Sequence, residues 1–498
     1  MKTSLQAAMA AINLYSEYFL GLIVSMTIAR HLSTEDYGIY SSIIWLAALM
    51  TLAINAGVSL NVTKFIAEFK HKNSDALPAV IAYFWRIQYS RLLIVALIVF
   101  TILFFDLADS NIEKWLLILL FFSVAIKADY MFRVSIFKGI KRFDIIAKTS
   151  LIANPFNIVA VLLCAFISPK VESFIIVYCS ACIVYGMSTR FFNKQLPLQK
   201  YNNEHIAEHK QRMMFQVISA TIIVLLGALI FRQSQVFVLE ENNFLSEAGF
   251  FNIAFLLSTA AITLVPGIYQ EILLPKITEA VQDGNVKSQV AQAERYLLTL
   301  SLLVVVPVVL YADVIIELLF GSRYLPAVFP LQMMMIFKTI ITLNQGANLT
   351  LISNDKQVSM AMVHVALFIF ACAISFFIVP QWGLDGSVAI FGLLVVIMLF
   401  SYKSLATRVG YQMISFMIAS RLVSAAAISA IPAIIIDQYL DGILSAIIGS
   451  IVFALSYINL LFIFKGFDQS VLYILKKIVS TTPKPIKAYL SWGIKCLS

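Results

Sequence analysis

The chain has 498 residues, 60% of them hydrophobic and 13% charged, where soluble domains carry roughly 45–50% apolar and about 25% charged residues. Too few polar residues exist to cover the surfaces of a water-soluble fold this long, so most of the chain has lipid as its solvent. Its 36 cations and 27 anions sum to +9; the excess reports membrane topology and not nucleic-acid binding, because cations gather in particular loops.

A helix needs about 20 apolar residues to cross roughly 30 Å of hydrocarbon. Fourteen segments qualify, at about 7–29, 38–60, 84–106, 114–136, 147–168, 171–191, 213–238, 248–270, 296–319, 327–352, 358–379, 384–406, 414–436 and 442–464. The first carries Glu17 and runs into Arg30 and His31 without a small-residue cleavage site, which predicts a retained helix and not a signal peptide. Lys64, Lys70 and Lys72 follow span two, Lys138, Lys141, Arg142 and Lys148 follow span four, and Arg190, Lys194, Lys200, Lys210 and Arg212 surround the connection after span six. The alternate loops carry Glu35, Asp36, Asp106, Asp109, Glu240, Glu241, Glu247, Asp437 and Asp441 instead. By the positive-inside rule both termini are cytoplasmic.

One offset relates the two halves. Leu32-Ser33 lead to Gly38 at the start of span two, and Leu245-Ser246 lead to Gly249 at the start of span eight; Gly38/Gly249, Leu46/Leu257, Ile66/Ile277 and Glu68/Glu279 are all 211 residues apart. This predicts an all-α polytopic membrane protein of about 14 transmembrane helices, with two pseudo-repeated six-helix lobes and two extra C-terminal helices. The expected divisions are an N-lobe 1–192, a cytoplasmic linker 193–212, a C-lobe 213–406, spans thirteen and fourteen in 407–465, and a tail 466–498. Within that tail Val471, Leu472, Ile474 and Leu475 beside Lys476 and Lys477 suit an interfacial helix.

No loop exceeds roughly 25 residues, and there is no DxD, no G-x-x-x-x-G-K-[ST] phosphate loop and no H-E-x-x-H metal pair. The expected class is a transporter and not an enzyme. The five cysteines, Cys164, Cys179, Cys182, Cys372 and Cys496, show no pairing pattern and read as small core hydrophobes.

The run from Ala29 through Arg30-His31-Leu32-Ser33-Thr34-Glu35-Asp36-Tyr37-Gly38-Ile39-Tyr40, followed by Thr63-Lys64-Phe65-Ile66-Ala67-Glu68, resembles the opening of bacterial polysaccharide exporters. These are the O-antigen flippases of the multidrug, oligosaccharidyl-lipid and polysaccharide exporter superfamily. Phe137-Lys138-Gly139-Ile140-Lys141-Arg142-Phe143, Val265-Pro266 and Leu274-Pro275-Lys276 extend the similarity. The resemblance implies a flippase of the bacterial inner membrane. Its cargo would be a polyprenyl (undecaprenyl) diphosphate-linked oligosaccharide repeat unit for surface polysaccharide or lipopolysaccharide, carried from the cytoplasmic to the periplasmic leaflet by alternating access. It also implies a proton or sodium gradient as driving force, no bound cofactor, and a polysaccharide polymerase as a partner; a monomer is expected. The multidrug branch normally has twelve spans, so spans thirteen and fourteen favour the lipid-linked glycan branch. The alternatives are an ion-coupled multidrug exporter or antiporter of the same superfamily and a membrane-embedded glycan polymerase.

A charge at mid-membrane costs about 2.5–3.5 kcal/mol on insertion scales, so each one needs a cavity, a partner or an interface. Lys127 in span four and Lys338 in span ten are candidate lumen cations for the diphosphate. Arg91 and Arg232 are further candidates, with snorkelling to the head groups as their other reading, which also suits Arg421. Asn344, Gln345 and Asn348 are a candidate polar lining for sugar hydroxyls, or interhelical hydrogen bonds. Glu17 and Asp129 are the candidate ion-coupling acids. Asp129 and Arg133 share a helix face four residues apart, which also predicts an internal ion pair. His364 reads as a satisfied helix contact, and Pro155, Pro266 and Pro307 as tolerated bends.

Overall fold

Ser33 starts the first long helix by accepting a hydrogen bond from the Asp36 amide at 3.0 Å, while its hydroxyl donates to the Asp36 carboxylate at 2.7 Å. The Ser-Thr-Glu-Asp run is therefore a helix cap, with acids at the positive end of the helix dipole. The structure, a computed structural model, describes residues 20–72, 74–105, 114–140, 142–192, 203–263, 286–354 and 356–464.

Their helices in chain order are α1 (Leu20–His31), α2 (Thr34–Asn55), α3 (Val58–Lys72), α4 (Leu77–Phe104), α5 (Lys114–Gly139), α6 (Phe143–Ile167), α7 (Val171–Phe191), α8 (Lys210–Ala228), α9 (Ser234–Glu241), α10 (Leu245–Thr263), α11 (Val286–Leu310), α12 (Ala312–Phe320), α13 (Val328–Leu343), α14 (Gln345–Ser353), α15 (Gln357–Thr407), α16 (Phe416–Tyr439) and α17 (Gly442–Ile463). Among the described residues the regular structure is all helical, and twelve helical stretches are long and apolar enough to cross a membrane. The expected all-α polytopic fold is the one observed.

One of the twelve, α15, is 51 residues long and contains two expected spans, 358–379 and 384–406. They part at Gly383, whose φ of 48° and ψ of −127° are not helical. A side chain there would be strained by the positive φ and would strike the Glu247 carboxylate. Glu247 in turn accepts the Leu384 amide at 2.5 Å, capping the second half of α15 from α10. Most of the first expected span, including Glu17, lies outside the described residues, as do the segment 193–202 and the tail beyond Phe464.

The chain divides into two compact units, Met1–Asn252 with Gln357–Ile390 and Ile253–Lys356 with Phe391–Ser498. In the first, the chain breaks between α2 and α3, and α3 turns an apolar face inward. Val58, Val62, Phe65, Ile66 and Phe69 are buried against Phe84 of α4, Phe132 and Ile136 of α5, and Met213 and Val217 of α8. The stretch reads in sequence as a basic loop after span two, because Lys64, Lys70 and Lys72 dominate it. Its apolar residues recur every three or four positions, which makes it an amphipathic helix instead. Arg212 of α8 pairs with Glu68 of α3 at 3.1 Å on the outer side.

In the second unit, Ala425, Ala426, Ser429 and Ala433 of α16 and Ser445, Gly449 and Phe453 of α17 are buried. Small residues at one-turn spacing let helix backbones approach where lipid offers no hydrophobic drive. Leu298 and Leu302 of α11 join this cluster, and the Tyr311 hydroxyl donates to the Ala433 carbonyl at 3.0 Å. Spans thirteen and fourteen thus pack on span nine. Phe104, Phe166, Phe377 and Phe416 are among the large apolar side chains on the surface, as a bilayer requires.

Candidate functional site

Lys127 stands on α5 with its ammonium 3.1 Å from the Tyr178 hydroxyl of α7 and 4.8 Å from the centre of the Tyr178 ring. Among the described residues it forms no ion pair. A half-buried cation held by a phenol and an aromatic face keeps its positive charge available to an anion.

Lys338 on α13 is held in a comparable way inside the second unit. It donates to the Phe255 carbonyl of α10 at 3.1 Å and to the Thr259 hydroxyl, with its ammonium 3.7 Å from the centre of the Phe255 ring. Lys338 is only 6% exposed. The two lysines are themselves 211 residues apart, the offset that relates Gly38 to Gly249. On the repeat expected from sequence, the two cations stand at matching positions, and each is set against an aromatic ring of a neighbouring helix.

Arg91 of α4 reaches the break between α2 and α3. Its guanidinium donates to the Ala56 carbonyl at 2.5 Å and to the Thr221 hydroxyl of α8 at 2.8 Å, and Thr221 donates to the same carbonyl at 2.8 Å. A cation at the carbonyl end of a helix satisfies orphan acceptors and suits the dipole. Arg91 is therefore engaged in clamping three helices. Nearby, Gln88 donates to the Asn55 side chain at 3.0 Å and to the Ala128 carbonyl at 2.8 Å. The side chain of Arg232, on the short π-helical turn between α8 and α9, lies outside the described residues.

Asp129 is held by two arginines, Arg133 at 3.0 Å and Arg190 at 3.1 Å. The Arg133 guanidinium also sits 5.2 Å from the centre of the Trp85 ring. The i, i+4 ion pair expected from sequence is present, and it engages the carboxylate that was also a candidate for ion coupling. His364 is buried with Nδ1 3.0 Å from the Met360 carbonyl, a satisfied helix contact.

Asn344 marks the break between α13 and α14. It is buried, and among the described residues its side-chain oxygen has no hydrogen-bond partner, while Gln345 and Asn348 are half-buried. The break places three amide side chains within a single turn.

Sequence reasoning missed two acids. Glu294 of α11 is fully buried; beside Arg295 it reads as one of a pair of loop charges, and nothing local reveals its burial. Glu240, at the end of α9, accepts a hydrogen bond from Ser42 of α2. Burial holds its carboxyl above the usual carboxylate range, the Ser42 hydrogen bond opposes this, and the neighbouring Glu241 charge adds to it. Its signal was also weak, because it reads as half of an extracytoplasmic acidic pair.

The fold has solved counterparts. A lipid II flippase, MurJ, in an inward closed conformation superposes with a TM-score of 0.70 at 14% identity, covering 91% of this chain and 97% of that one. A multidrug resistance MATE family transporter of the MOP superfamily in an inward-facing conformation gives 0.59 at 12% identity, covering 78% and 94%. A MOP superfamily transporter from Pyrococcus furiosus, described as having a binding pocket of reversed polarity, gives 0.58 at 10% identity, covering 81% and 95%. No curated protein matches the sequence. The model of the polysaccharide biosynthesis protein family matches residues 7–281, more than half of the chain.

The helical architecture therefore defines a multi-pass membrane protein with the fold shared by flippases and multidrug transporters. The chain belongs to the polysaccharide biosynthesis protein family.

Proposed function

We propose that this chain is a flippase for a polyprenyl diphosphate-linked oligosaccharide repeat unit, an O-antigen or related surface glycan, moved from the cytoplasmic to the periplasmic leaflet by alternating access. The observation that carries this is the repeat-related pair Lys127 and Lys338. Interior charges are costly in a membrane, and a diphosphate is an anion suited to offset each of them as it passes. A cationic amphipathic drug would favour acids at the same places. Asn344, Gln345 and Asn348 suit sugar hydroxyls, each amide offering both a donor and an acceptor.

The inner membrane of a bacterium with both termini cytoplasmic, a monomer working beside a polysaccharide polymerase, and drive from a proton or sodium gradient complete the reading. The family match and the fold shared with a lipid II flippase support it. Charge reversal tests it: Lys127→Glu and Lys338→Glu, each inserted at wild-type level, should abolish outward movement of the lipid-linked glycan, and Arg at either position should retain it. Unimpaired glycan export in both charge-reversed proteins would refute the diphosphate role.

A further inference from the structure

Glu294 joins three parts of the second unit at one carboxylate. It projects from α11 and accepts the Tyr411 hydroxyl and, at 3.0 Å, the Ile414 amide, both from the segment that links α15 to α16. A Cβ placed on Gly346 of α14 would strike its Oε1, so the carboxylate is closed in from that side as well. The linking segment is anchored only here by polar side-chain bonds among the described residues: Tyr411 is 5% exposed and Ile414 4%, while Gln412, Met413 and Ser415 between and beside them are exposed.

Full burial of an ionised carboxylate costs several kcal/mol unless partners repay it. Among the described residues Glu294 has no cation within ion-pair distance. Lys403 of α15 is the charge acting on it and Tyr411 the other titratable group facing it; among the described residues α13, α14, α16 and α17 contribute none. Two neutral donors and one more distant ammonium are a modest set of partners, and one proton would replace what they supply.

We propose that Glu294 is a proton-binding site, and that loading it loosens the Arg408–Ser415 segment from α11. The step is the addition of one proton from cytoplasmic water to one carboxylate oxygen. The neutral acid accepts more weakly from the Tyr411 hydroxyl and the Ile414 amide, and those two bonds are what hold the segment. The expected topology puts this segment at the cytoplasmic end of spans twelve and thirteen. The inference rests on the flippase reading only for the use of the proton, and its test needs no substrate.

The test is hydrogen exchange at the Ile414 amide of the full-length protein in lipid nanodiscs, from pH 5 to pH 8, corrected for intrinsic exchange. In the wild type, protection should fall at least tenfold on going from pH 8 to pH 5. Glu294→Gln should give low protection independent of pH, and Lys403→Gln should keep the fall with a displaced midpoint. A fall that persists in Glu294→Gln, or one that disappears in Lys403→Gln alone, would overturn the proposal. Glu294→Asp guards against a folding defect: it retains the carboxyl and should retain a pH-dependent fall, and a flat profile in this folded variant would also overturn it. Loss of the glycan-export reading would leave all these outcomes unchanged.

Discussion

Gly38 and Gly249 occupy one helix crossing, and each faces the residue one turn before the other. A Cβ at Gly38 would lie 2.6 Å from the Leu245 carbonyl oxygen, and one at Gly249 would lie 3.4 Å from the Thr34 carbonyl oxygen and 3.8 Å from the Gly38 Cα. Thr34 and Leu245 are themselves 211 residues apart, so the contact is reciprocal under that offset. The Ser246 and Thr34 hydroxyls meet 3.4 Å apart beside it.

The crossing is not symmetric in tightness. A side chain at Gly38 meets backbone that cannot move aside, whereas a Cβ at Gly249 meets its neighbours at ordinary van der Waals distances. Gly38→Val should destabilise the protein by about 2–3 kcal/mol, in the range of overpacked cores, and Gly249→Val by less. Chemical unfolding in mild detergent measures both, and equal cost at the two positions would contradict the geometry.

Arg91 separates two roles by one substitution. If it clamps the Ala56 carbonyl and Thr221, Arg91→Lys loses the fork that spans both acceptors and should lower stability by about 1.5–3 kcal/mol, the range for charged hydrogen bonds. Translocation would fall with it. If Arg91 serves the substrate as a charge, Lys should restore translocation at full stability. The hydrogen bonds predict the first outcome.

Glu240 gives a pH dependence of definite sign. Its folded carboxyl is held above the usual range by burial, so the folded state binds this proton more tightly than the unfolded state. Stability from this group is fully present below the unfolded value, near 4.3, and is lost as pH rises through the folded value. Unfolding midpoints should therefore decline from mildly acidic toward neutral pH. Glu240→Gln should flatten that decline and raise stability at pH 7, as read by denaturant titration at several pH values.

Most of the architecture was legible because lipid demands long apolar runs: among the described residues, spans two to fourteen all fall largely on helix. The 211-residue offset was legible in Gly38 and Gly249, which meet at one helix crossing where Gly38 has no room for a side chain. The same offset pairs Lys127 with Lys338, a signal written in the sequence but visible only when each charged residue is tested against it. Helix α3 was obscured, since its lysines suggested a loop while Val58, Val62 and Phe65 carried the period. The partners of Arg91 and the burial of Glu294 were not legible, because Thr221 lies 130 positions from Arg91 and Tyr411 and Ile414 lie 117 and 120 positions from Glu294. Depth along a span shows that a charge needs a partner; it does not reveal which one.

The most direct test of the central claim is mass spectrometry of polyprenyl diphosphate-linked oligosaccharides in cells with and without this chain, with the leaflet assigned by a membrane-impermeant sugar-modifying enzyme. Removal of the chain should leave complete repeat units protected on the cytoplasmic leaflet, and restoring it should expose them to the enzyme. An unchanged leaflet distribution, or unpolymerised glycan collecting on the outer leaflet, would contradict the claim.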